Sequence, residues 1–317
     1  MLIRLGPLLI LLAVSGVIAL LTPVFLTADN IGNVLSQTAV IAVLAIGQLF
    51  VILTRGIDLS VGSTLALSSV VGAMTFSGVG TWWLPVLAML GVGTLVGSIN
   101  GVVYVFGRLP HPFIVTLATL SIASGAALGL SGGQPIQGMP KLVQQVGGSR
   151  WESLPFSAFL VAATAVIAAL MLSRVVWGRW IYAVGGDPEA ARRIGIPHRS
   201  VLVSVYMFSG LLAGVGALIT SGQLDAGSPT FGNLAELDSI AAVVIGGASF
   251  LGGRGNVGNA LVGALMIGVI RNGMNLLDVQ SYEQLIVIGV VIVLAVESDV
   301  VRSRLERRLR VLSAAGP

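Results

Sequence analysis

The sequence predicts an all-α, polytopic membrane bundle of about ten transmembrane helices, and three observations predict it. The 317 residues include 17 Lys+Arg and 13 Asp+Glu, so charged groups make up 9% of the chain, where soluble domains carry about a quarter. Hydrophobic residues account for 55% and the mean hydropathy is +0.97. That leaves too little polar surface to coat a water-soluble globule and excludes a soluble enzyme. The 42 glycines follow no strict third-position repeat, which excludes collagen and suits close helix packing in lipid, where small residues let backbones approach.

Crossing ~30 Å of hydrocarbon takes about 20 mostly apolar residues. Such runs follow one another at 7–26, 35–54, 60–78, 82–106, 112–131, 155–173, 201–221, 237–252, 257–275 and 283–298. The first resembles a secretory signal, but it is long for a signal core, Pro23 interrupts its end and no small-x-small cleavage site precedes Asn30, so an uncleaved span is expected. The second and eighth end alike, in Arg55-Gly56 and Arg254-Gly255. They form a weak internal echo that also matches Ile41 with Ile240, Ala42 with Ala241 and Gly47 with Gly246, of the kind seen in transporters with repeated halves.

Orientation follows from the cations. With the N-terminus in the cytoplasm, Arg4, Arg55, Arg108, the cluster Arg174–Arg199, Arg254 and the cluster Arg302–Arg310 all lie inside. Only Lys141, Arg150 and Arg271 lie outside, as the positive-inside rule requires. N-in, C-in is therefore expected, and the pI near 10.1 reports topology, not nucleic-acid binding. The polar stretches 132–154, 174–200 and 299–317 are each too short for a core of their own, so residues 1–317 form one membrane domain with a cytoplasmic segment 182–197 and a basic tail 299–317.

No residue earns a catalytic role. Without Cys there is no disulfide, thiolate chemistry or Cys-bound metal. The single lysine, Lys141, sits in no Gly-rich phosphate loop. His111 and His198 lie at ends of different spans and form no metal cage or nucleophile–base pair.

The most informative polar stretch is YAVGGDPEAARRIGIP, 182–197. Asp187 suits an N-cap, Pro188 the first helical position and Glu189 the positive helix start, while Gly195 and Pro197 end the helix after about two turns. So short a helix is marginal in water, and either a cytoplasmic partner packs on it or it lies on headgroups through Arg192 and Arg193. Glu189 and Ala191 are expected on its exposed surface. Asp58 is expected to cap a helix beginning at Leu59 or to pair with Arg55, with Ser60 sharing that structural role. A substrate contact is the other reading, since acids within a membrane are costly. Gln48, Asn100, Asn272 and Asn275 lie inside apolar stretches, where each must face a neighbouring helix or a hydrated conduit. The pairs Gly246-Gly247 and Gly252-Gly253 are either hinges or packing sites. RSRLERRLR, 302–310, reads as a headgroup-binding tail.

Together with GIDLSVGS at 56–63, LPHPFIVTLATL at 109–120 and LDSIAAVVIGGASFLGGRGNVGNALVGALMIGVIRNGMNLL at 237–277, this segment resembles the permease family of the ribose, xylose and galactose ABC importers. The resemblance implies a bacterial inner-membrane subunit with the ABC importer permease fold, translocating a monosaccharide or polyol by alternating access. It also implies a second permease copy or a sister permease, cytoplasmic ATPase subunits that bind ATP and Mg, a periplasmic sugar-binding protein, and no cofactor in this chain. By the same resemblance 187–196 is the helix coupled to the ATPase, through Asp187, Pro188, Glu189, Ala190, Ala191, Arg192 and Gly195. The chain departs from the family at Arg55-Gly56, where relatives read Gly-Gly. The rival is an ion-coupled secondary carrier, which needs ionisable groups in the membrane; only Asp58, Glu236, Asp238 and Glu297 come near, all at span ends.

Overall fold

The computed structural model describes residues 2–294 and residue 297. The predicted tail 299–317, with its basic run 302–310, lies outside the described residues. Thirteen helices are described: α1 Leu2–Leu21, α2 Ala28–Leu53, α3 Val61–Val79, α4 Trp83–Phe106, α5 Phe113–Ser131, α6 Lys141–Gly148, α7 Phe156–Arg174, α8 Val176–Gly186, α9 Pro188–Arg193, α10 His198–Leu224, α11 Ala235–Ile245, α12 Val257–Leu276 and α13 Ser281–Leu294. Seven of them, α2, α3, α4, α5, α7, α10 and α12, are long and apolar enough to cross a membrane; α1 and α13 contribute shorter apolar runs.

Helices α2 and α10 form the centre. Along α2 every residue from Ile41 to Leu53 is buried, and it packs against α7, α10, α11 and α12. Such an all-round apolar helix belongs in a protein interior. The tightest pair is α4 with α10. On α4, Gly93, Gly97 and Gly101 recur every fourth residue, and a Cβ at Gly93 would strike Gly210 O, one at Gly97 would strike Tyr206 O and one at Gly101 would meet Val203 Cα at 2.8 Å. Gly210 and Gly214 answer from α10. This is the small-xxx-small contact by which lipid-embedded helices gain van der Waals packing without a hydrophobic drive.

The eighth predicted span, 237–252, differs. Helix α11 stops at Ile245, and its 11 residues cover about 16 Å, half of what a crossing needs. Residues 246–256 continue as turns and irregular backbone. Gly252 and Gly253 have φ of +78° and +70°, backbone that glycine adopts without a Cβ penalty, so this pair is a turn built into the fold. The sequence reading also missed two helices. Residues 141–148 form α6, and the supposed polar stretch 174–200 contains α8, whose Trp177 stacks on Phe50 and donates to Ser204 Oγ at 2.7 Å.

The connections gather at two ends. At one end Gly253 N donates to Leu53 O at 2.9 Å, Tyr182 Oη to Gly255 O at 2.8 Å, and the Arg199 guanidinium sits 6.0 Å from the Phe106 ring centroid. At the other, Ile136 and Gln137 pair with Gly227 and Ala226, Arg150 Nη2 donates to Asn33 Oδ1 at 2.6 Å and Gln223 Nε2 to Ser36 O at 3.0 Å. The two Arg-Gly turns of the internal echo therefore lie side by side.

Candidate functional site

Three features carry the polar chemistry of the bundle. The first is centred on Asp58, in the connection between α2 and α3 and only 1% exposed. Its Oδ1 accepts from Ser60 N at 3.0 Å and Ser60 Oγ at 2.7 Å, and its Oδ2 accepts from Ser209 Oγ on α10 at 3.0 Å. Ser60 Oγ in turn accepts from Asn100 Nδ2 on α4 at 2.8 Å, and Asn100 Oδ1 accepts from Thr119 Oγ1 on α5 at 2.6 Å. Gln48 Nε2 on α2 donates to Asp58 O at 3.2 Å, while its Oε1 has no hydrogen-bond partner. Burial pushes the Asp58 carboxyl above its ordinary range, and the bonds from Ser60 and Ser209 oppose that rise.

This arrangement keeps one expectation and corrects another. Asp58 Oδ1 accepts from Ser60 N in the turn that leads into α3 at Val61, as a cap of a helix begun at Leu59 would; Asp58 and Ser60 also join α3 to α4 and α10. Arg55 does not pair with Asp58. Its Nε and Nη2 donate to Gly185 O and Gly186 O, at 2.7 and 2.6 Å. Gln48, Asp58, Ser60 and Asn100, singled out separately in the sequence, belong to one network. Ser209 and Thr119 complete it, and no spacing in the sequence marks them.

The second feature is α9. Asp187 Oδ1 accepts from Glu189 N and Ala190 N, both at 3.0 Å, and Pro188 occupies the first turn, so the cap forms as the residue types require. The helix ends at Arg193, where Gly195, at φ +81°, turns the chain. Glu189, Ala190, Arg192, Arg193 and Ile194 are exposed, and the Glu189–Arg193 pair at 3.6 Å is solvated on both sides, a contact of little weight. Ala191 is 2% exposed and belongs to the main core, contrary to its expected place on the open surface: the one-residue link at Asp187 lays α9 back against the bundle.

The third is a cavity of about 450 Å³ at the opposite end, with Gln37, Asn233, Arg271, Asn275, Ser281 and Gln284 among its lining. Asn275 Oδ1 accepts from Gln284 Nε2 at 2.7 Å, and Arg271 Nη2 donates to the buried Asp238 Oδ2 at 2.7 Å, which neutralises the cation. Asn275 is thus open to the cavity, whereas Asn272 forms a buried reciprocal amide pair with Asn30, both bonds at 2.9 Å. The Arg271–Asp238 pair was legible as opposite charges at the same end of adjacent spans, but the sequence reading left Arg271 as an external topology marker. Among the described residues no group of three or more His, Cys, Asp or Glu could hold a metal ion.

Residues 30–296 match the family described as branched-chain amino acid transport system / permease component. A ribose import permease of Bacillus subtilis is 42% identical over 302 residues, covering 93% of this chain and 92% of its own. A D-allose transport system permease of Escherichia coli is 35% identical over 296 residues, 93% of this chain and 90% of its own. A probable ABC transporter permease of Sinorhizobium fredii is 38% identical over 296 residues, 91% and 88% of the two chains. No solved structure matches. With seven helices able to span a membrane and relatives matched along nearly their whole length, the chain is a multi-pass permease of the bacterial inner membrane and belongs to this transport-system permease family.

Proposed function

We propose that the chain is the membrane-spanning subunit of an ATP-driven importer for a monosaccharide or related neutral polyol, working with a second permease copy, cytoplasmic ATPase subunits that bind ATP and Mg, and a periplasmic sugar-binding protein. The observation that carries it is α9, a six-residue helix capped by Asp187 and exposed along Glu189, Ala190 and Arg192. A helix this short does not persist alone in water; the cap, and Ala191 anchored in the core, hold it ready for a partner. The relatives named for ribose and D-allose supply the substrate class.

In this reading the α9 end faces the cytoplasm, as the cation count requires, and the polar cavity faces outward. The amides of Gln37 and Asn233, with Asn275 Nδ2 and Gln284 Oε1 beside the Asn275–Gln284 bond, suit hydroxyls of a neutral solute, and the paired Arg271 adds no net charge to attract an ion. A shallow entry site serves import better than a deep well, because a tightly held solute leaves slowly. The test is affinity purification of the tagged chain from its native host in mild detergent. An ATPase that co-purifies with it and is lost with Glu189→Arg supports the reading; a chain that purifies alone contradicts it.

A further inference from the structure

Three stretches of chain far apart in sequence meet where α8 passes into α9. Gly253 N donates to Leu53 O at 2.9 Å, Tyr182 Oη to Gly255 O at 2.8 Å, and Arg55 to Gly185 O and Gly186 O at 2.7 and 2.6 Å. Packing there leaves no slack: a Cβ at Gly185 would collide with Leu53 O, and one at Gly252 would meet Arg55 Cγ at 2.5 Å. The carbonyls held by Arg55 belong to the last turn of α8, where helix carbonyls lack internal partners and the helix dipole favours a cation. Arg55 reaches them from a left-handed backbone, φ +66°. A bulky L-residue keeps that conformation only where its surroundings enforce it.

We propose that Arg55, assisted by Tyr182, is a positioning strap that delivers displacement of α9 to the α2–α3 and α11–α12 connections; this rests on the reading that an ATPase docks on α9. A single residue, Asp187, separates α8 from α9, so a force on α9 is a force on the end of α8. That end cannot shift without dragging residues 53–55 through two charge-assisted bonds and residue 255 through the tyrosine. Three residues beyond Arg55, Asp58 and its bonded partner Ser60 lead to α4 and α10. One rigid path therefore joins the exposed helix to the buried network.

The test is Arg55→Gly in the importer reconstituted with its co-purified ATPase and binding protein, with D-ribose as probe. Glycine adopts φ +66° without strain, so the variant removes the guanidinium while relaxing the turn and should fold. The expected result is retained ATPase association and hydrolysis with sugar moved per ATP reduced about tenfold. Arg55→Lys, a point cation that can serve one carbonyl, should recover part of the loss. Unchanged sugar per ATP in Arg55→Gly overturns the strap. If the wild-type chain recruits no ATPase or moves no ribose, the importer reading is what has failed or narrowed, and the strap is decided on the free chain by hydrogen exchange. There Arg55→Gly must speed exchange of amides 183–187 about tenfold, and unchanged exchange overturns it.

Discussion

Ser209 on α10 donates to Asp58 Oδ2 at 3.0 Å across 151 residues of sequence, and this bond ties the central helix of the bundle to the connection between α2 and α3. Because the carboxylate is buried and takes three donors, Asp58→Ala leaves Ser60 N, Ser60 Oγ and Ser209 Oγ without their acceptor. The expected loss is about 2–4 kcal/mol, the scale for stranding hydrogen-bonded groups around a buried charge. Asp58→Asn keeps an acceptor and should lose less. Thermal unfolding in detergent ranks the two, and equal midpoints with wild type would remove the network's structural role.

The α4–α10 contact predicts opposite outcomes for two glycines of one helix. Gly97→Ala drives a Cβ into Tyr206 O and should destabilise by about 1–3 kcal/mol. Gly91→Ala meets nothing within 4 Å and should stabilise by up to about 1 kcal/mol through helix propensity. Unfolding midpoints shifted the same way in both variants would contradict the packing described.

Asn272 and Asn275, three residues apart, should separate stability from transport. Asn272→Leu removes both bonds between the amides, leaving Asn30 Nδ2 on Phe25 O, and should cost about 1–2 kcal/mol, with a coupling near 0.5–1.5 kcal/mol in a double-mutant cycle with Asn30→Leu. Asn275→Leu should leave the unfolding midpoint within about 0.5 kcal/mol, as exposed substitutions do, and lower sugar uptake. The reverse assignment would move the entry site away from the cavity.

On α9, Glu189→Arg changes only an exposed residue whose ion pair is solvated. It should leave stability within about 0.5 kcal/mol while abolishing ATPase recovery. Ala191→Trp overfills the core and should cost at least about 1–3 kcal/mol, so it does not serve as a clean docking variant. Size-exclusion profiles and unfolding midpoints separate the two.

Much of this was legible in the sequence because lipid imposes simple rules. Apolar runs marked the long helices, and Asp187-Pro188 marked the start of α9. What was not legible depends on tertiary contact. Helix α11 ends at Ile245 because Gly246 and Gly247 turn the chain there, Gly247 at φ +87°, and hydropathy alone cannot distinguish that apolar turn from helix. Asp58 reads locally as a cap, and only the approach of Ser209 and Asn100 makes it a hub. Ala191 looks exposed in a polar stretch until α8 lays α9 against the core.

The most direct test of the importer account is uptake of D-ribose and D-allose into vesicles holding the chain, its co-purified ATPase and its binding protein, with ATP inside or withheld. The account predicts uptake that requires ATP and vanishes with Glu189→Arg. Uptake by the chain alone, driven by a proton or sodium gradient without ATP, would contradict it.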